Sequence, residues 1–248
     1  MKLESTLVIS AVLLCAALAA QEPVPAPKPQ EKSGTDATKQ PERKPLVVGE
    51  RPAGMIVLPD IDGTVHRSAD YAEQIVVVCF WSTECPIMRG YEKRMTAVVK
   101  DYREKGVRFL MINSNEGNRE IADGPARGED GKPLPQEADA PQPYGKIRGY
   151  LADHELPYTV LIDHGSVVAD AFRAKTTPDI YVFAKDGVLV YRGAIDDDPQ
   201  GRKGDESTPY LRNVLDKLVA DETVEPSQTE PVGCTIKRPR AAGARRNR

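Results

Sequence analysis

Apolar positions divide the chain into an unpatterned leader, a layered block and a second unpatterned end. Residues 20–45, opening "QEPVPAPKPQEKSG", are rich in Pro, Lys, Gln and Glu and show no apolar period. Such a stretch cannot bury enough surface to offset the entropy of ordering it, so a disordered or polyproline-like linker is expected there. Patterned sequence starts at Leu46 and fades near residue 222. Within it, "MIVLPDIDGTVH" sets Asp62-Gly63 between two short strand-like pieces, which predicts an N-terminal β-hairpin. Residues 75–81, "IVVVCFW", form a continuous, mostly β-branched apolar run of strand length, as a strand covered on both faces requires. Residues 86–105 then place Ile87, Tyr91, Met95, Val98, Val99 and Tyr102 on one helical face. Pro86 suits a first helical position and Gly106 a helix stop. "VRFLMIN" at 107–113 closes a βαβ unit.

Residues 114–143 hold many Gly, Pro, Asp and Glu and little apolar content, so a surface insertion is expected. A helix at 144–154, a strand at 158–163 and a short helix at 166–174 should follow. "DIYVFA" and "VLVYRG" flank Asp186-Gly187, the strongest short hairpin signal in the chain. A final helix begins near Ser207-Thr208-Pro209, with Leu211, Val214, Leu215 and Leu218 on its apolar side. The order is a hairpin, a βαβ unit, an inserted αβ segment, then αββα. Strands alternating with helices predict an α/β layered sandwich over residues 46–222.

Composition changes this picture in three places. A net charge of −3 over 248 residues argues against a general nucleic-acid binder. Lys2 precedes "LVISAVLLCAALAA", a run too short for a comfortable membrane span, and Ala17-Leu18-Ala19 offers a small-residue cleavage site. Residues 1–19 are therefore expected to be an export signal, with a periplasmic or extracellular destination and membrane contact only if the signal stays uncleaved. Residues 223–248 are expected to be a basic tail, solvated and without fixed structure, that carries Cys234.

Cleavage would leave Cys79, Cys85 and Cys234, an odd number where disulfides persist, so at least one stays free or pairs outside the chain. Cys85 draws the chemistry. It stands between a buried strand and the first turn of a helix, where backbone N–H groups lack intrahelical partners and the helix dipole is positive. Both effects favour thiolate, the nucleophilic form. Glu84 beside it works against ionisation. Cys79 shares a strand face with Trp81 in apolar surroundings, which predicts packing and a raised pKa. Two readings stand for Cys234: a resolving cysteine that folds back onto Cys85, or a free or intermolecular thiol.

Phe80-Trp81-Ser82-Thr83-Glu84-Cys85-Pro86 resembles the active-site segment of the thioredoxin superfamily in its redoxin, peroxiredoxin-like (AhpC/TSA-type) branch. Thr177-Pro178-Asp179 resembles that superfamily's cis-proline loop, and "LPDIDG", "IDDD" and "GCTIKR" are similar to this branch as well. The resemblance spans roughly residues 50–238 and implies a thioredoxin-like three-layer sandwich. It also implies a thiol-dependent oxidoreductase, either a thiol-disulfide exchanger or a peroxiredoxin-like antioxidant. Its substrates would be protein or small-molecule disulfides or peroxides, its donor an external thiol, and no cofactor is implied. Cys85 would attack, and Trp81, Pro86, Thr177 and Pro178 would shape the site for an extended substrate. Met88 replaces the second cysteine of the thioredoxin motif, and Cys79 replaces its buried acid. Resolution must then come from elsewhere, and under mild oxidation Cys85 is expected to pair with Cys234 within one chain, leaving Cys79 reduced. Two other classes remain: a redox-inactive binding module using the groove beside Pro178, and a copper carrier using Cys85, Met88 and His164.

Overall fold

The structure, a computed structural model, describes residues 46–52, 56–115, 124–129, 132–135, 142–225 and 227–239. The expected export signal, the linker and most of the 114–143 insertion lie outside these.

A short hairpin opens the domain. Strands β1 (Val57–Pro59) and β2 (Val65–Arg67) pair antiparallel around a turn in which Gly63 takes φ +87°, and Asp60 accepts the N–H groups of Asp62 and Thr64. The βαβ unit follows as β3 (Val76–Phe80), α1 (Pro86–Arg103) and β4 (Arg108–Asn113). The inserted αβ segment is α2 (Gly145–Asp153) and β5 (Thr159–Ile162). The remainder runs α3 (Val167–Phe172), β6 (Thr176–Thr177), β7 (Asp179–Phe183), β8 (Leu189–Gly193) and α4 (Tyr210–Val219).

The central sheet has the order β5-β4-β3-β7-β8, extended by β9 (Ser227–Gln228). β3, β4 and β5 run parallel, whereas β7 is antiparallel to both β3 and β8. Alternation along β3 divides the core into two. Val77 and Cys79, with Trp81 just beyond the strand, face Met88, Tyr91, Met95 and Val99 of α1 and Leu211 and Leu215 of α4. Val76, Val78 and Phe80 face Ala169 and Phe172 of α3 together with Leu58 of the hairpin. Helices on both faces of one sheet make the expected three-layer thioredoxin-like sandwich. Each fully buried large apolar side chain in these layers contributes about 1.5–3 kcal/mol, so the α1 stripe alone anchors the helix whose first turn bears Cys85.

Residues 227–239 differ from the expected free tail, whose last part, 240–248, lies outside the described residues. Thr229 donates its N–H to Arg192 O at 2.9 Å, and β10 (Cys234–Thr235) pairs antiparallel with β6, Cys234 opposite Thr177. Ile236 is only 3% exposed, and its N–H reaches Lys175 O at 2.9 Å. Lys237 N–H donates to Asn115 Oδ1 at 2.6 Å, and the Arg238 guanidinium meets Asp170 at 2.7 Å. A buried apolar anchor and a row of backbone bonds hold what periodicity alone left loose. Among the described residues, no helix is long and apolar enough to cross a membrane.

Candidate active site

Cys85 is the N-cap of α1, with extended φ/ψ of −89° and 111°. In that position a side chain turns back toward the N–H groups of the first turn, and here Met88 N–H donates to Cys85 Sγ at 3.4 Å. Pro86 at the first helical position has no N–H to offer. The intervening N–H, that of Ile87, favours the ionised form of Cys234.

Cys234 arrives by register. Its place opposite Thr177, whose carbonyl is bonded to Cys85, sets it beside Cys85, and its thiol and backbone both favour the ionised form of the Cys85 sulfur. The Thr177 carbonyl lies 2.8 Å from Cys85 Sγ and accepts its proton when the thiol is neutral. The peptide between Thr177 and Pro178 is cis, as expected of this loop. Both cysteines are free thiols in the structure.

The electrostatics separate the three cysteines. Burial pushes the Cys85 thiol up, but hydrogen bonds from the Cys234 thiol, the Thr177 side chain and the Met88 and Cys234 backbone outweigh it. The result lies below the ordinary thiol value. Cys234 moves the other way: partial burial, its bond to Cys85 and the charge developing there all raise it. Cys79 is fully buried and raised well above the thiol range by desolvation, with the charges of Asp179 and Cys85 adding to the effect. Its thiol donates to the Phe80 carbonyl at 3.6 Å.

The other expected site residues take different places. Pro86 is exposed beside Cys85, whereas Thr177 and Pro178 are buried under β10. Trp81 has no exposed surface. Its indole packs edge-on to Tyr150 and Tyr158, so it supports the site from beneath and presents no face to a substrate in this conformation. Glu84 is exposed, where water screens its opposition to Cys85 ionisation. Met88 contributes its N–H while its side chain fills the core. His164 Nε2 lies 3.3 Å from the Tyr144 hydroxyl, and among the described residues no three His, Cys, Asp or Glu side chains converge as a metal site.

Two residues escaped the sequence reading. Asp179 is fully buried and raised to about 6, chiefly by desolvation and against the pull of Arg192. It stands opposite Phe80 in the sheet, so it shares Phe80's face and not that of Cys79, and it does not restore the acid that Cys79 replaces. Gly233 is the second. A Cβ there would lie 2.2 Å from the Thr177 carbonyl oxygen, so only glycine lets the chain cross the cis-proline peptide at this distance.

A cysteine at a helix cap, a cis-proline loop beside it and helices on both sides of the sheet define a thioredoxin-fold redoxin. Residues 50–192 match the AhpC/TSA family, and the chain belongs to that family. The thiol-disulfide oxidoreductase ResA of Bacillus thuringiensis is 20% identical over 162 residues, 65% of this chain and 73% of that protein. An uncharacterised conserved protein of Geobacillus kaustophilus matches with 26% identity and a TM-score of 0.63 over 79% of this chain and 95% of its own. A hypothetical protein of Sinorhizobium meliloti shares the fold at 24% identity and a TM-score of 0.64, over 80% of this chain and 98% of its own.

Proposed function

We propose that the chain is an exported thiol-disulfide oxidoreductase in which Cys85 attacks and Cys234 resolves. The observation that carries this reading is the register that sets Cys234 opposite Thr177, whose carbonyl lies 2.8 Å from Cys85 Sγ, at a helix start where the Met88 N–H is directed to the Cys85 sulfur. Cys85 thiolate attacks one sulfur of a substrate disulfide; a Cys85–substrate bond forms and the other half leaves as thiolate, taking a proton from solvent. Cys234 then loses its proton and attacks Cys85 Sγ, forming the Cys85–Cys234 disulfide and releasing the second half. The substrate has gained two electrons and the cysteine pair has lost two. An external dithiol returns two electrons and two protons. Export through residues 1–19 would place this couple in a compartment where disulfides persist.

The depressed Cys85 thiol fits both the attacking role and that of leaving group when the pair is reduced again. A redox-inactive binding module would need the groove beside Pro178 open, and β10 lies across it. Peptide mapping after one equivalent of a low-mass disulfide tests the proposal. The expected product is a Cys85–Cys234 bridge within one chain with Cys79 reduced, and Cys234→Ser should accumulate the Cys85 mixed disulfide. A Cys79–Cys85 bridge, or only dimers linked through Cys234, would overturn it.

A further inference from the structure

The reactive sulfur of this site is nearly out of reach: Cys85 is 1% exposed, while Cys234 is half-buried. Its cover is a later segment of the same chain, residues 233–238. An extended protein substrate approaching Cys85 would bond the backbone edge beside the thiol, and that edge is Thr176–Thr177, the way an added strand joins a sheet. Here β10 already pairs with it, antiparallel, with a cysteine at the position opposite Thr177. The bonding continues from Ile236 to Lys175, Ile236 is buried in the core layer that includes Phe172 of α3, and Arg238 bonds Asp170 and the Ala174 carbonyl. At the other end Gly233 presses on the Thr177–Pro178 peptide with no space for a side chain. The arm has the geometry of a bound substrate strand, with Cys234 where a substrate's cysteine would stand.

We propose that residues 233–238 are a built-in occupant of the protein-substrate edge and set the substrate class of the enzyme. With the arm seated, Cys85 takes low-mass disulfides, for which a shift of the half-buried Cys234 side chain is enough to uncover the sulfur. A disulfide within a folded protein, which needs the Thr176–Thr177 edge as well, is excluded. This rests on the oxidoreductase reading above, and the chemistry on either substrate is the two-step exchange already written, with the external dithiol as donor.

The experiment compares full-length chains acting on hydroxyethyl disulfide and on insulin. Wild-type protein should turn over the small disulfide and act poorly on insulin. Two variants lift the arm while keeping Cys234: Ile236→Ala with Arg238→Ala, which removes its anchors, and Gly233→Ala, whose methyl cannot fit against Thr177. Each should raise the insulin-to-hydroxyethyl-disulfide ratio of kcat/KM by about tenfold or more. Hydrogen exchange at the Ile236 and Lys237 amides reports the arm directly and should accelerate in both. An unchanged ratio with the arm released overturns the proposal. Amides that stay protected in Gly233→Ala overturn the close contact on which it stands. Cys85→Ser separates the two claims: small-disulfide turnover that survives it refutes the oxidoreductase reading. Turnover lost with Cys85 while the ratio stays fixed in the arm variants refutes only the role of the arm.

Discussion

Strand β3 and the first turn of α1 carry one cysteine each, and the same side chain meets opposite fates in them. Cys79 lies inside the sheet, where every backbone donor nearby is already bonded to a neighbouring strand, so burial acts on its thiol unopposed and raises it. Cys85 is buried as well, but at a helix start, where donors remain after the ladder has been formed, and its thiol is lowered. Desolvation is common to both; what differs is whether the backbone has hydrogen bonds left to give. Reactivity in this fold is thus assigned by the end of an element, and packing by its middle.

The sharpest way to break this comparison is to remove each thiol in turn. Cys85→Ser should lower turnover of a low-mass disulfide by about a thousandfold or more, as loss of a nucleophile does. Cys79→Ser should leave kcat within about twofold, because no step in the cycle uses that sulfur. Steady-state rates on the two proteins decide it, and equal losses would erase the distinction.

Cys234 sharpens the comparison, since its thiol is the foremost hydrogen bond holding Cys85 down. Cys234→Ala should move the pH profile of Cys85 alkylation upward, through loss of a hydrogen bond that favours the thiolate, and should stall multiple turnover at the Cys85 mixed disulfide, because the resolving thiol is gone as well. Cys234→Ser, which keeps a donor, should move the alkylation profile less. An unshifted profile in the alanine variant would mean that the helix turn and Thr177 suffice.

How much of this was legible follows the same division. The strand–Cys–Pro–helix junction is local: the β-branched run, Pro86 at the first helical position and the apolar stripe from Tyr91 to Tyr102 all lie within about thirty residues. The two hairpins were announced by Asp62-Gly63 and Asp186-Gly187. The arm was not. β6 and β10 are two residues each, too short for any period, and they are joined by register across residues 177 and 234. Gly233 carries no local signal, because the group that forbids a side chain there, the Thr177 carbonyl, is remote in sequence. The packing of Trp81 was hidden for a related reason: its partners Tyr150 and Tyr158 come from the inserted segment.

Packing at Cys79 gives a smaller effect. Cys79→Ala deletes one fully buried sulfur between the sheet and α1 and should cost about 1–2 kcal/mol in urea unfolding at pH 7. A loss below about 0.5 kcal/mol would mean that the surrounding side chains close the space.

The smallest effect is the most direct readout of opposite shifts in the two regions. A raised thiol pKa means that folded protein keeps the Cys79 proton after the unfolded chain has begun to release its own. Above the ordinary thiol value the unfolded state therefore binds fewer protons, and Cys79 makes stability fall as pH rises. Cys85 has the reverse sign: its contribution is fully present above the unfolded value and is lost as pH falls through the lower folded value. Removing Cys79 deletes the first term and leaves the second. The cost of Cys79→Ala should thus shrink between pH 7 and pH 9, by about 0.8 kcal/mol for one thiol with an unfolded pKa near 8.5. The cost of Cys85→Ala should not shrink over the same interval. Paired urea titrations in reducing buffer measure both differences. If the Cys79→Ala cost is the same at the two pH values, the folded sheet does not hold that proton, and burial has not separated the cysteines as described.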